Sequence, residues 1–166
     1  MHSITHFFDE SSQIVADFDA WAGDFNPGAV ADHICYKCES SQEFKQMRAM
    51  FEGESKFIYQ SIISERRIAI VAFKKPIVTA LGEIWHLELS DQKTDGSQVS
   101  GFDHIEIYPV DGTMDELATQ IEASGFALEK VERPHHTTYD GRLGEHFKVR
   151  LEPEALITKI KAEEMG

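Results

Sequence analysis

Residues 102–109 read FDHIEIYP and residues 31–38 read ADHICYKC, so the tripeptide Asp-His-Ile opens two strand-like runs 71 positions apart (104 − 33). Apolar and polar residues alternate in both, the period-2 pattern of a half-buried strand. A histidine in one such strand is ordinarily a core or edge residue held by hydrogen bonds. Its return at the same place in a second strand points to a duplicated unit.

The residues after each run support the duplication. Behind the first, Ser40 and Glu43 form a capping box, in which each side chain satisfies the other's orphan amide. The helix it opens buries Phe44, Met47 and Phe51 and stops at Gly53. Three extended runs come next, at 56–63, 67–73 and 83–89, with Lys74-Lys75-Pro76 interrupting after the second. After the second Asp-His-Ile run, Thr113 and Glu116 form another capping box. Its helix buries Leu117 and Ile121 and ends at Gly125, and further extended runs lie at 127–133, near 137–140 and at 146–151. Strand, capped helix and three strands therefore occur twice. The fold class expected is α+β: two βαβββ modules forming one curved mixed sheet around a cavity, with their helices outside it.

A helix precedes the first module over 3–21, with Ile4, Phe7, Phe8, Val15 and Phe18 on one stripe, and GDFNPG at 23–28 stops it. Pro153 suits the first turn of a final helix carrying Leu156, Ile157 and Ile160. The chain is read as a single domain, 1–166. Its parts are a lead-in at 1–30, module one at 31–90, a polar linker at 91–101, module two at 102–151 and a closing helix at 152–166.

Composition excludes several functions. Sixteen Lys and Arg against 29 Asp and Glu give a formal charge of −13, a surface that repels phosphate backbones and anionic lipid. Nucleic-acid and membrane partners are therefore disfavoured, and a small-molecule ligand is the expected partner. Composition leaves the oligomeric state open. No apolar run approaches the roughly 20 residues of a membrane span, and the N-terminus has no basic stretch before a cleavage site. A cytoplasmic location is the expectation. Cys35 and Cys38 form a CxxC, but three-residue spacing in a strand sends them to opposite faces, so they are expected to pack separately as thiols.

The same alternation sorts the polar residues. His33 shares a face with Cys35 and Lys37, His104 with Glu106 and Tyr108, and His86 with Glu88; the apolar residues between them face the helices. Two imidazoles and a carboxylate on rigid strands are the minimum set for a divalent transition metal. Neutral imidazole and carboxylate oxygen suit iron, manganese, nickel, cobalt or zinc alike. Glu106 is either a general base beside such an ion or an orienter of a ligating histidine. His86 belongs outside the ligand set or on the surface. Tyr59 and Tyr139 are pocket candidates by strand parity. His135, His136 and His146 flank a loop that either closes over a cavity or is simply solvated.

The duplicated order with Asp-His-Ile at both first strands resembles the vicinal oxygen chelate superfamily, the broad group of glyoxalase I, extradiol dioxygenases and bleomycin-resistance proteins. Within it, ADHICYKC, HLELS, FDHIEIYP and FKVRLEPEALI, in that order and with the two flanking helices, resemble the YecM-like branch. The resemblance implies ligands on the first and fourth strand of each module: His33 and Glu88 in module one, His104 in module two. The fourth strand of module two departs from the pattern, because Arg150 stands where a carboxylate would ligate, and a guanidinium cannot bind a cation. Arg150 then either holds a substrate anion or neutralises Glu88 or Glu106. Glu152, two residues on, is an alternative ligand or the cap of the last helix. The activity implied is metal-dependent chemistry of isomerase, lyase or dioxygenase type on a small oxygen-rich or carboxylated molecule. The alternatives are a non-catalytic small-molecule or metal binding protein of the same fold, and a domain that kept the fold and lost the site.

Overall fold

A computed structural model describes residues 3–63, 65–133 and 136–158 of the chain. Helix α1 spans Ile4–Phe25, and the Ser3 hydroxyl accepts from the His6 amide at 3.1 Å, satisfying one orphan donor of its first turn. Its buried residues Phe7, Ser11, Val15, Phe18 and Ala22 recur every three or four positions, so one stripe faces the sheet. The sequence predicts an end at position 21, but the helix continues through Gly23 and stops at Asn26, whose φ is 43°. Trp21 and Phe25 hold the extra turn by packing on Phe126, at ring-centroid distances of 5.3 and 5.1 Å. That apolar contact offsets the roughly 1 kcal/mol cost of a mid-helix glycine.

Two equivalent modules come after it. The first is β1 (Ala29–Lys37), α2 (Ser41–Glu52), β2 (Ser55–Ile63), β3 (Arg66–Thr79) and β4 (Gly82–Ser90). The second is β5 (Gly101–Pro109), α3 (Met114–Ala123), β6 (Glu129–Glu132), β7 (Thr137–Arg142) and β8 (Lys148–Leu151). Both internal helices begin at the expected caps, Ser40 accepting from the Glu43 amide and Thr113 from the Glu116 amide. Lys74-Lys75-Pro76 does not end β3 as predicted. The strand crosses it in a register shift against β4 between Ala72 and Ile77, an irregularity at which proline's missing amide is tolerated.

Among the described residues eight strands form one mixed sheet in the order β2-β3-β4-β1-β5-β8-β7-β6. β1 pairs parallel with β4, β5 pairs parallel with β8, and the antiparallel pair β1–β5 is the seam between modules. Reading outward from the seam gives the same strand order on both sides, so the duplication seen in sequence is a duplication in space. The sheet is curved and open, and α1, α2 and α3 bury their stripes in a single core with Ile34, Leu87, Leu89, Ile105, Ile107 and Val149. That core covers one face of the sheet. The other face carries the polar residues.

The seam has two irregularities placed alike. Its register pairs Ala31 with Ile107 and His33 with Glu106, leaving Asp32 over; it pairs Cys35 with His104 and Tyr36 with Phe102, leaving Asp103 over. Each strand thus carries one extra residue immediately before its histidine, which bends the chain locally.

The segment between β4 and β5 has no strand and is pinned by Gln98, whose amide donates to the carbonyls of Cys38 at 2.7 Å and Asp91 at 2.8 Å. At the C-terminal end, residues 156–158 are helical, and the remainder of the expected closing helix, Ile160 included, lies outside the described residues. Among the described residues no helix is long and apolar enough to cross a membrane.

Candidate metal centre

Register brings the predicted residues to one patch on the face away from the helices. Across the seam His33 opposes Glu106 and Cys35 opposes His104, while β4 sets Glu88 beside Cys35. His33 Nε2 lies 3.3 Å from Glu106 Oε2 and 3.7 Å from Glu88 Oε2. His104 Nε2 lies 3.7 Å from each of the same two oxygens. His33, His104 and Glu106 each offer a ligand atom within 4.8 Å of the others. The two histidines are 1% exposed and Glu106 6%, whereas the Glu88 side chain keeps 24% of its surface.

The bulges explain how the imidazoles are aimed. Strand alternation alone would send Asp32 and Asp103 to the helix side, opposite their histidines. The extra residue in each strand brings the carboxylate back: Asp32 Oδ2 sits 2.7 Å from His33 Nδ1, and Asp103 Oδ2 sits 2.7 Å from His104 Nδ1. A carboxylate only accepts, so Nδ1 carries a proton, and in the neutral ring the lone pair is on Nε2. Both Nε2 atoms are buried and have no hydrogen-bond partner among the described residues. An unsatisfied buried nitrogen costs on the order of 1–3 kcal/mol, and here two of them face one spot flanked by two carboxylates. These donors fit a divalent cation, which would satisfy both.

Electrostatics agree with that fit. Burial by itself depresses the His33 imidazolium, but Glu106, Asp32 and Glu88 outweigh it and hold its pKa well above the ordinary 6.5. Burial raises Glu88, yet His33 and His104 bring it down to about 2. Glu106 is held below the carboxylate range by the same two imidazoles against its own burial. Asp103 behaves likewise: His104, Lys37 and Lys148 overcome burial and keep it ionised. The patch is therefore a cluster of carboxylates in want of a positive charge.

The remaining sequence-predicted residues divide. Arg150 lies on the predicted face as the cross-strand neighbour of Glu106. Among the described residues its guanidinium makes no hydrogen bond to Glu88 or Glu106. Nε and Nη2 form a fork on Asp140 at 2.9 and 3.2 Å, a partner one strand further out that alternation within β8 could not reveal. Tyr139 is a correction: it pairs with Leu151 on the helix-bearing face and donates to Asp115 of α3 at 2.7 Å, so it does not line the site. Tyr59 does lie on the site's face, packed with Ile68, Ile70 and Leu156. Glu152 is buried and reaches His136 Nε2 at 3.3 Å. His86 is half-buried, 6.1 Å from the Phe57 ring. His146 is exposed, and His135 lies outside the described residues. The two cysteines are separate thiols as expected. Cys38 packs in the apolar core. Cys35 stands beside His104 and Asp103, its thiol pushed up by burial and then by Glu88 and Asp103.

Three contributors were not singled out from sequence. Asp32 and Asp103 were signalled by the repeat itself, which contains Asp as well as His, but their side was not. Leu156 was read only as an apolar residue of the closing helix. Its amide donates to Asp32 Oδ2 at 2.9 Å, the oxygen that holds His33, and its side chain packs over Ile68 and Ile70 on the site's face. The segment after β8 thus folds back across the polar face and supports one of the two imidazoles.

Two βαβββ modules paired edge to edge, with a His and carboxylate cluster on the open face, define a protein of the vicinal oxygen chelate fold. The chain belongs to the YecM protein family, whose model matches residues 5–161. No curated protein matches it. A solved structure, the structural-genomics protein EC4020, is similar over 97% of this chain and 92% of its own, with a TM-score of 0.74 at 19% identity. Streptomyces coelicolor methylmalonyl-CoA epimerase bound to 2-nitronate-propionyl-CoA is similar over 74% of this chain and 96% of its own, at a TM-score of 0.47 and 15% identity. A methylmalonyl-CoA epimerase in complex with methylmalonyl-CoA and NH4+ is similar over 76% and 98%, at a TM-score of 0.47 and 16% identity.

Proposed function

We propose that His33, His104, Glu88 and Glu106 hold one divalent transition metal ion, and that through it the chain binds or converts a small oxygen-rich molecule. One observation carries the reading: two buried imidazoles, each fixed by a carboxylate on Nδ1, leave unpartnered Nε2 atoms facing the same two glutamates. Metal-ligating histidines are typically oriented in this way by a partner on the other ring nitrogen. Nitrogen and carboxylate donors suit iron, manganese, nickel, cobalt or zinc, and the upward-shifted Cys35 thiol gives no thiolate that would narrow the choice.

Glu106, which the sequence offered as a general base or as an orienter of a ligating histidine, we take as a ligand. It lies as near the imidazoles as Glu88 does, beside Arg150 in the register, and so supplies the carboxylate that the fourth strand of module two lacks. Glu88 is the more exposed of the two, which makes it the group able to exchange a proton with a bound ligand. The ion, when bound, would act as a Lewis acid toward an oxygen of that ligand. The fold hosts enzymes and binding proteins alike, so turnover is not part of the claim.

The test is elemental analysis of protein purified without a metal-binding tag, alongside His104→Ala. Stoichiometric metal is expected in the parent and none in the variant. The variant should keep its fold, because Ile105 and Ile107 remain in the core. Equal metal content in the two proteins would remove the assignment.

A further inference from the structure

A second candidate site lies beside α2, at the end of β3 that follows β2. A cavity of about 520 Å3 opens where α2, the start of β3 and the loop after β4 meet. Four of the chain's 16 Lys and Arg line it, namely Lys45, Arg66, Arg67 and Lys93, against two carboxylates, Glu65 and Asp91. In a chain of formal charge −13, that is a local reversal of sign.

Most of this charge is uncommitted. Arg67 gives Nε to Asp91 at 2.8 Å and lies over the Phe44 ring of α2 at 4.6 Å, so this pair is a structural wall. Arg66 gives Nη1 to Gln98 Oε1 at 2.5 Å, and Gln98 is itself fixed on the carbonyls of Cys38 and Asp91. Nε and Nη2 of Arg66 are then left without a partner among the described residues, on a guanidinium whose position is set. Neither Lys45 nor Lys93 has an ion-pair partner among the described residues. The hydroxyls of Ser41 and Thr94 add donors to the lining, and Ile62, 73% exposed, gives it an apolar lip.

We propose that this cavity binds a small phosphorylated molecule carrying at least two negative charges. A held guanidinium meets phosphate oxygens with parallel N–H groups, and two lysines add compact charges with rotatable donors. The cavity is larger than a bare phosphate needs and falls within the roughly 300–1,000 Å3 of small-molecule sites. An organic portion can therefore rest against Ile62. None of His33, Glu88, His104 and Glu106 lines it, so this site stands or falls independently of the metal centre.

Titration calorimetry on chelator-treated protein tests the proposal with pyrophosphate and a nucleoside monophosphate, the uncharged nucleoside serving as control. Chelation removes any phosphate binding through a metal. Saturable binding of both phosphates and none of the nucleoside is expected. Lys45→Ala combined with Lys93→Ala should weaken it by about tenfold or more, since two charge-assisted contacts are lost. Both lysines are exposed, so the double variant keeps the fold. Lys74→Ala with Lys75→Ala, the same change of net charge elsewhere, should leave affinity unaltered, as should His104→Ala. The proposal is overturned by absent binding at millimolar phosphate, by equal loss in the two lysine pairs, or by loss in His104→Ala.

Discussion

Asp32 and Asp103 do at the residue scale what the histidines cannot do for themselves. Imidazole has two tautomers of similar energy, and only one leaves Nε2 able to accept or ligate. A carboxylate at 2.7 Å from each Nδ1 selects it. Asp103→Ala should therefore reduce metal affinity by about 10–100-fold, the usual cost of losing such an orienting partner. Its fold should survive, because Asp103 sits in a bulge and contributes no ladder pairing across the seam. Competition against a chelator of known affinity measures the change, and unaltered affinity would show that Asp103 merely neutralises Lys37 and Lys148, 3.2 and 3.6 Å away.

At the scale of elements, the chain after β8 matters more than its polar sequence suggests. The Leu156 amide reaches the Asp32 oxygen that orients His33. Residue 156 opens a helical stretch, where proline is well tolerated, so Leu156→Pro removes the amide donor together with the leucine side chain. Leu156→Pro is accordingly expected to weaken metal binding severalfold, and more than Leu156→Ala, which keeps the donor while removing the side chain from Ile68 and Ile70. The reverse order in a metal titration would assign the effect to packing. A second element-scale constraint is Gly141 in β7. A Cβ there would stand 2.2 Å from Phe126 Cε2 and 2.9 Å from Leu128 Cδ2. Gly141→Ala should cost about 1–3 kcal/mol in denaturant unfolding, the range for forcing extra volume into a packed contact. A neutral result would mean that Phe126 swings aside freely.

For the whole molecule, the buried charges make stability depend on pH and on metal together. In the metal-free chain the raised His33 contributes fully below its ordinary 6.5 and loses that contribution as pH rises through the folded value. Glu88, lowered to about 2, contributes above its ordinary 4.5 and loses it as pH falls toward that value. These two groups place the stability plateau between 4.5 and 6.5. A bound cation takes the place of the His33 proton, so the decline above that range should vanish in the loaded protein. Thermal denaturation across pH, with chelator and with added metal, shows the difference; superimposable profiles would exclude His33 as a ligand.

The architecture was carried by local signals. Capping boxes at 40–43 and 113–116, period-2 strands and two Asp-His-Ile openings specify two βαβββ units, because each signal acts within a few residues. Strand parity likewise put His33, Glu88, His104 and Glu106 on one face, since alternation is a property of the backbone alone. Only the tertiary structure decided the rest. The seam register set which carboxylates meet the imidazoles, and the paired bulges turned two aspartates to a side that alternation denies them. Pairing with β7 gave Arg150 to Asp140 and set Tyr139 against α3. The physical reason is common to all of these: a strand's periodicity fixes the side a residue faces, while its partner depends on register and irregularity, which arise only when distant segments pair.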